Sequence, residues 1–245
     1  MKKWVDMRTI CTQLLTPNKT LDPRIFNSQQ RMHSDIRNKL IQIAEIVAKK
    51  SVLYIPGLKI HDICLRGSSA GYIYHEKSDL DLKIMINSEN CNFLTDNPDM
   101  LMRFFLQMYL INMMDQKFFI NGRLVDIKIE PIRTGEFVGL YSIHNNRWIN
   151  KPDRNAILSL NVDDVMDKYS KKYYEIKEHL RQISQSGEIN TLEGVYALQD
   201  YFADMFRLSY TTIDEFMAFK LLQKRGVVNE IRNMLNAGIK SALSI

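Results

Sequence analysis

The sequence lacks the motifs that mark several large enzyme classes. It contains no GxxxxGK[ST] phosphate-binding loop, no Gly-x-Ser-x-Gly nucleophile elbow and no GxGxxG dinucleotide fingerprint. These absences exclude a P-loop NTPase on sequence grounds, and they give no support to an α/β-hydrolase or a Rossmann dehydrogenase.

Cysteines are few, and long hydrophobic runs are missing. The three cysteines, Cys11, Cys64 and Cys91, are widely spaced, and no CxxC pair or Cys/His cluster offers a zinc site. We expect free thiols in a reducing compartment. The longest apolar stretch, residues 101–114, is interrupted by polar residues and is too short to span a membrane. The N-terminal MKKWVDMRTI has no apolar segment leading to a cleavage site, so we expect a cytoplasmic protein without a membrane partner.

The composition is that of an ordinary globular protein with a basic bias. Of the 245 residues, 45% are hydrophobic and 25% are charged, and the chain is long enough for one large domain or two small ones. The formal net charge is +5 and the isoelectric point is about 9.0. This bias suits a protein that handles polyanions such as nucleoside triphosphates or nucleic acid.

The most informative segment runs from Leu65 to Ile86 and reads LRGSSAGYIYHEKSDLDLKIMI. From Leu80 onward, apolar residues alternate with polar ones, which is the period of a strand buried on one face. Asp79 and Asp81 are therefore expected to point the same way. Two carboxylates held side by side repel each other unless a cation lies between them, and Mg²⁺ is the usual cation at such oxygen sites.

A third acid is predicted on a neighbouring strand. Residues 117–130 read KFFINGRLVDIKIE, in which Asn121-Gly122 between two apolar segments is a strong hairpin signal. Asp126 then lies in the middle of the second strand, on the face opposite to its apolar neighbours. Glu130 shares this face and is the alternative metal ligand.

A simpler interpretation stays open for all three acids. Exposed strand faces and edges often carry acids that discourage pairing with other chains, and Asp126 would then be a solvent-facing residue of an edge strand. We favour the metal site because the Gly-Ser turn, its spacing to the acid pair and the strand pattern agree.

The first part of the chain is predicted to form a sheet with flanking helices. A helix capped by Ser34 or Asp35 should lie on the sheet, because apolar residues recur along one of its faces. Strands are predicted at 59–65 and 80–86, and Pro98 should open a crossover helix before the hairpin.

The second part of the chain has a helical pattern. Capping residues at Asn161, Thr191 and Thr212 should begin three helices. We therefore predict an α+β protein with a small mixed β-sheet core and flanking helices over residues 1–152. A C-terminal helical bundle over residues 153–245 would follow and close a ligand-binding cleft.

These motifs carry a family resemblance. Gly67-Ser68, the ten residues that follow, and Asp79-Leu80-Asp81 resemble the signature of the nucleotidyltransferase superfamily of DNA polymerase beta, in which a Gly-Ser turn precedes Asp-x-Asp. Three further segments are similar to stretches of compact nucleotidyltransferases found largely in bacteriophages and bacteria: LDPRIF at 21–26, YSIHNNRWINKP at 141–152 and DEFMAFKLLQKRG at 214–226. From the first to the last, these segments extend over residues 21–226.

The resemblance implies a nucleotidyltransferase core and a two-metal reaction. Asp79 and Asp81 would bind two Mg²⁺ (or Mn²⁺) ions, and Asp126 would bind the one that activates the acceptor hydroxyl. All three would be both metal ligands and catalytic residues.

The resemblance also implies where the nucleotide binds. Gly67 would let backbone N–H groups approach the triphosphate, and the Ser68 hydroxyl would donate to a terminal phosphate oxygen, with Ser69 as a second candidate. Lys83 shares the face of the aspartates and would either meet a phosphate or offset the negative charge of the acids.

The implied activity is the transfer of a nucleoside monophosphate from an NTP such as ATP to an acceptor hydroxyl, with release of pyrophosphate. The basic bias makes RNA, including tRNA, the favoured acceptor. A synthase of nucleotide second messengers and a toxin-type enzyme that modifies tRNA or protein stay open. So does a catalytically silent module that binds a nucleotide or nucleic acid.

Overall fold

The computed structural model describes residues 6–52, 59–87, 117–131, 139–209 and 211–242, without the side chains of residues 49–52, 130, 131 and 207. Contacts divide the chain into two compact units. The unit that we call the sheet unit spans Asn18–Arg154. The other, which we call the helical unit, combines Met1–Pro17 with Asn155–Ile245.

The sheet unit is built on a mixed sheet with six strands among its described residues. In chain order the strands are β1 (Lys59–Arg66), β2 (Leu80–Asn87), β3 (Phe118–Ile120), β4 (Arg123–Pro131), β5 (Leu140–Ser142) and β6 (Arg147–Asn150). Their spatial order is β3-β4-β2-β1-β5-β6. Strands β2 and β4 are parallel, and all other neighbours are antiparallel. The strands predicted at 59–65 and 80–86 are confirmed, each with one further residue.

Among the described residues, two α-helices precede the sheet: α1 (Met7–Leu14), which belongs to the helical unit, and α2 (Ser34–Val52), which packs on β1 and β2. Leu82 and Ile84 share one face of β2 and are buried there, and Leu40 of α2, which packs on this strand, is fully buried. Each such side chain contributes roughly 1.5–3 kcal/mol when it is removed from water. The helix predicted from Ser34 is confirmed.

The hairpin predicted at Asn121-Gly122 is also confirmed. β3 and β4 pair in antiparallel register on either side of it, and both turn residues have positive φ, 50° at Asn121 and 77° at Gly122. Positive φ at both positions is the requirement of a type I′ turn, whose twist matches that of the strands. The turn therefore sets the register in which β4 enters the sheet.

Strands β5 and β6 extend the sheet beyond β1, and the alternation of the sequence did not predict them. Their side chains anchor the segment before α2. The Tyr141 hydroxyl accepts from the backbone N–H of Met32 at 3.1 Å, and the Phe26 ring stacks on the Trp148 ring with centroids 5.1 Å apart. This aromatic cluster holds residues 26–32 against the sheet.

After residue 152 the described chain forms five α-helices: α3 (Arg154–Leu158), α4 (Val162–Ser186), α5 (Leu192–Leu208), α6 (Ile213–Arg225) and α7 (Val227–Ala242). The three predicted caps are confirmed. The Asn161 side chain accepts from Asp163 N, Thr191 Oγ1 from Gly194 N, and Thr212 Oγ1 from Glu215 N. α4 packs on α6, and α7 packs on α5 and α6.

The N-terminal helix α1 belongs to the helical unit, whereas the sequence pattern predicts a sheet core over residues 1–152. It packs on α4 and α6. Its Cys11 is fully buried, and Arg8 pairs with Asp163 of α4 at 2.7 Å. The other boundary, after Arg154, lies close to the predicted one.

Some predictions fall on residues outside the described ranges. The crossover helix predicted from Pro98 and the third cysteine, Cys91, lie there. The other two cysteines, Cys11 and Cys64, carry buried thiols rather than disulfides. No helix among the described residues is long and apolar enough to cross a membrane.

Candidate active site

The turn after β1 contains a glycine that no other residue can replace without strain. Gly67 has φ 76° and ψ −154°, a region that is essentially restricted to glycine. A Cβ on Gly67 would lie 2.1 Å from Asp81 Oδ2. A single 3₁₀ turn, Ser68–Ala70, follows directly. The Gly-Ser turn is therefore packed tightly against the carboxylate of the second aspartate.

Asp81 and Asp126 face each other across two parallel strands. They are register partners in the pairing of β2 with β4, so their backbones are one strand spacing, roughly 4.8 Å, apart. Each lies on the face of the sheet opposite to its immediate neighbours in sequence, which are apolar and buried, and both aspartates are partly exposed. Asp79 directly precedes β2 and is exposed. The structure thus places Asp81 and Asp126 side by side, whereas Asp79 lies just before the strand and is not part of this pair.

The register also separates the two candidates for the third acid. Glu130 pairs with Met85 rather than with Asp81. It is four residues beyond Asp126, which corresponds to roughly 13 Å along the strand. Of the two acids, Asp126 is the one opposite the aspartate pair.

A buried arginine ties the turn to the acid-bearing strands. Arg123, the first residue of β4, is only 7% exposed. Its Nε donates to the Ser78 carbonyl at 2.6 Å, and its Nη2 donates to Ser69 Oγ at 2.7 Å. Its Nη1 donates to Asp22 Oδ2 at 2.8 Å. Since Ser69 Oγ donates to the Asp79 carbonyl, the network fixes the backbone of Asp79 relative to β4.

Asp22 is the anionic centre of this network. Its side chain is fully buried, and it accepts from Arg24 Nη2 at 2.7 Å as well as from Arg123. Burial alone would raise the pKa of the Asp22 carboxyl, but the hydrogen bonds from Arg24 and the charge of Arg123 outweigh it. The pKa is therefore lowered from its ordinary value of 3.8. Asp22 is ionised at neutral pH and holds both guanidinium groups in place.

The four residues predicted to contact the nucleotide have different environments. Gly67 lies against Asp81, and Ser68 begins the turn with 7% of its surface exposed. Ser69 is fully buried and its hydroxyl is engaged in the network just described, so it supports the site rather than lining it. Lys83 is fully buried on the Asp81 face of β2. Of the two roles predicted for Lys83, this burial favours offsetting the acids.

The Asp81–Asp126 pair fits a hard cation by its chemistry and its placement. Carboxylate oxygens are the donors that Mg²⁺ and Mn²⁺ prefer, and the Gly67 backbone packs against the Asp81 carboxylate with no side chain between them. Lys128 Nζ lies 3.8 Å from Asp126 Oδ2. In the part of the chain that the structure describes, no three Asp, Glu, His or Cys side chains converge into a group that could hold a metal.

Sequence reasoning missed Arg123 and Asp22. The sequence contained a signal that Arg123 is buried. Arg123 lies two residues before Val125, so strand alternation places both side chains on the buried face of β4. A buried arginine requires an acid partner. The identity of that partner could not be read from the pattern, since Asp22 is 101 residues away in sequence.

Comparisons of the chain with protein-family models, with curated proteins and with solved structures find no match. Two structural features point to a function: the adjacent acids Asp81 and Asp126 and the glycine turn beside them.

Proposed function

We propose that this protein is a metal-dependent nucleotidyltransferase that moves a nucleoside monophosphate from an NTP to an acceptor hydroxyl. The observation that carries the proposal is the pairing of Asp81 with Asp126 on parallel strands, with Gly67 packed against the Asp81 carboxylate. Facing carboxylates repel each other unless they share a cation. A turn that begins with glycine lets backbone N–H groups come close to a phosphate group. Both features together suit phosphoryl transfer.

Asp79, Asp81 and Asp126 would hold the Mg²⁺ or Mn²⁺ ions. When bound, such ions neutralise charge on the triphosphate and lower the pKa of the acceptor hydroxyl. Lys83, buried on the same face, would offset part of the negative charge of Asp81 and Asp126.

The chain's own groups would bind the triphosphate and move the proton. Backbone N–H groups of the turn and the Ser68 hydroxyl donate to phosphate oxygens, and a carboxylate oxygen of Asp126 accepts the proton of the acceptor hydroxyl. The acceptor oxygen then bonds to the α-phosphorus as the bond to pyrophosphate breaks. Ser69 and Arg123 act as positioning residues, because they fix the backbone of Asp79.

A second candidate is a catalytically silent nucleotide-binding module. The ion pair between Lys128 Nζ and Asp126 Oδ2, 3.8 Å apart, favours it, since a neighbouring ammonium group reduces the attraction of Asp126 for a cation. Both groups are partly exposed, 29% and 27%, so solvent screens the pair and its strength is below about 1 kcal/mol. A cation with two positive charges would displace Lys128 from such a pair.

Calorimetric titration of each NTP, with Mg²⁺ or Mn²⁺ and with a chelator, tests whether the acids bind metal and nucleotide together. We expect tight binding only with metal, and loss of that binding in the double variant Asp79→Ala/Asp81→Ala. The matched control is Asp164→Ala/Asp167→Ala, which removes two exposed acids from α4. Unchanged metal-dependent affinity in the first double variant would refute the site assignment.

A further inference from the structure

The space beside Gly67 is occupied by a carboxylate group. A Cβ on Gly67 would lie 3.0 Å from Asp81 Cγ and closer still to Asp81 Oδ2, so the carboxylate fills the volume that a side chain would take there. Gly67 follows Arg66, the last residue of β1 and the register partner of Asp81. Because β2 lies between β1 and β4, the Asp81 carboxylate leans toward β1 and away from Asp126. Arg66 is only 3% exposed, and its positive charge across the strand pair favours this direction.

The same turn has backbone N–H groups for an anion. The N–H groups of Ala70 and Gly71 donate to the carbonyls of Gly67 and Ser68, at 3.2 Å each. The N–H groups of Ser68 and Ser69 come first in the 3₁₀ turn, and the first N–H groups of a helical turn have no acceptor within it. They are the groups that suit a phosphate oxygen.

A phosphate group at this turn would meet the Asp81 carboxylate. Both groups are anions, and like charges at such short range repel, more strongly near a protein surface than in water. The carboxylate also fills the space that the missing side chain of Gly67 would otherwise open. In this position Asp81 therefore keeps an anion away from the turn.

A divalent cation would favour another position of the same carboxylate. Asp81 is partly exposed, so its side chain is not fixed by core packing. Asp126 lies directly across the strand pair, and a cation shared by the two carboxylates would draw Asp81 toward β4. The ion pair between Asp126 and Lys128 is also partly exposed, so it is too weak to prevent this.

We propose that Asp81 makes the glycine turn selective for a phosphate group that arrives with a divalent cation. Its carboxylate blocks the turn when it lies against Gly67, and it leaves the turn when a cation draws it toward Asp126. The substrate is thereby narrowed to the metal complex of the triphosphate, with the free triphosphate excluded. The inference rests on the proposed function for the roles of Asp81 as a metal ligand and of the turn as a phosphate site.

Pyrophosphate binding in the presence of EDTA tests the block without catalysis. By calorimetry, Asp81→Ala should bind pyrophosphate roughly tenfold more tightly than the wild type, because a unit charge close to the ligand is removed. The matched control is Asp126→Ala, which removes the same charge one strand farther from the turn and should gain roughly threefold or less. Equal affinity in wild type and Asp81→Ala, or equal gains in the two variants, would overturn the proposal.

Excess Mg²⁺ should reverse the sign of the effect. Asp81 is then needed as a metal ligand, so Asp81→Ala should bind pyrophosphate more weakly than the wild type. A purely structural role of Asp81 would lower the affinity of the variant both with EDTA and with Mg²⁺, and this result would overturn the block. A gain that persists with Mg²⁺ would overturn the release of the turn by a cation.

The wild-type protein offers a test that needs no variant. In ¹H–¹⁵N NMR spectra, pyrophosphate should shift the amide signals of Ser68 and Ser69 when Mg²⁺ is present and leave them unchanged in EDTA. Gly122 begins no such anion site, and its amide signal in the hairpin turn is the internal control. Equal shifts of the Ser68 and Ser69 signals in both conditions would overturn the proposal.

The block and the proposed function can fail separately. Turnover of NTP by a protein in which Asp81→Ala brings no gain in pyrophosphate affinity in EDTA would overturn the block and leave the nucleotidyltransferase standing. A gain that is specific to Asp81→Ala, in a protein that turns over no NTP, would support the block and overturn the proposed function.

Discussion

At the scale of single residues, Gly67 is the position with the least freedom. Its backbone conformation is costly for any other residue, and a Cβ there would overlap the Asp81 carboxylate. We expect Gly67→Ala to lower the free energy of unfolding by about 1–3 kcal/mol from backbone strain alone, with the overlap adding to this. Urea unfolding measures the change.

The hairpin glycine supplies the control for Gly67. Gly122 has nearly the same φ, 77°, but a Cβ there would meet nothing within 4 Å. Gly122→Ala should therefore cost only about 1–2 kcal/mol. In an Asp81→Ala background the cost of Gly67→Ala should fall, because the overlapping oxygen is gone. An undiminished cost in that background would mean that the Asp81 carboxylate does not press on the turn.

Asp126 and Glu130 provide a second test at this scale. Asp126→Asn should leave nucleotide affinity near that of the wild type and lower kcat by roughly 10²–10⁴-fold, because the group is needed most in the transition state. Glu130→Gln should have almost no effect, since Glu130 is opposite Met85 and not Asp81. The reverse pattern, measured by steady-state kinetics and NTP titration, would show that Glu130 is the ligand.

The positions of Asp81 and Asp126 could be predicted because strand alternation has a period of exactly two residues and the Asn121-Gly122 turn sets the register. The hydrogen-bond network of Arg123, Ser69 and Asp22 could not be predicted in this way. Ser69 reads as another small residue of the turn, and only the fold shows that its hydroxyl is enclosed by Arg123 and the Asp79 carbonyl.

At the scale of elements, prediction succeeded where patterns were long. β1, β2, β4 and α2 each present a continuous apolar face to one core. β5 and β6 were missed because they have three and four residues, too few for a period to appear. α1, with eight residues, was missed for a similar reason, and its association with the helical unit depends on contacts with distant helices.

The network around Asp22 joins the first residue of β4 to the loop before β2, and it should make stability depend on acid pH. The pKa of Asp22 is lowered in the folded state, so the unfolded chain binds the proton first as the pH falls below about 3.8. The contribution of Asp22 to the free energy of unfolding should therefore be constant at neutral pH. It should decline as the pH falls from about 4 toward the lower pKa that Asp22 has in the folded state.

Asp22→Asn removes this dependence. At pH 7 we expect it to cost about 3 kcal/mol, because Arg123 stays buried without its anionic partner, and the difference from wild type should narrow below pH 3. The control Asp163→Asn breaks the exposed pair with Arg8 and should cost less than about 1 kcal/mol. Parallel stability curves for wild type and Asp22→Asn across acid pH would contradict the role of Asp22.

At the scale of the whole molecule, the net charge of +5 bears on the acceptor. If the acceptor is RNA, phosphate contacts should make tRNA binding fall steeply as salt rises, with a slope that reports the number of contacts. Fluorescence anisotropy with labelled tRNA at several salt concentrations measures this slope. Undetectable binding at low salt would exclude RNA and turn attention to a nucleotide or protein acceptor.

The most direct test of the central proposal is turnover. The protein is incubated with each labelled NTP and Mg²⁺ or Mn²⁺, alone and with total tRNA, nucleosides or a protein acceptor, and pyrophosphate and labelled product are measured. We predict pyrophosphate release matched by transfer of the nucleoside monophosphate in the wild type and in Asp164→Ala/Asp167→Ala. Both should be lost in Asp81→Asn and Asp126→Asn. Release and transfer that survive both single substitutions, or no turnover of any NTP despite metal-dependent binding, would contradict the proposed function.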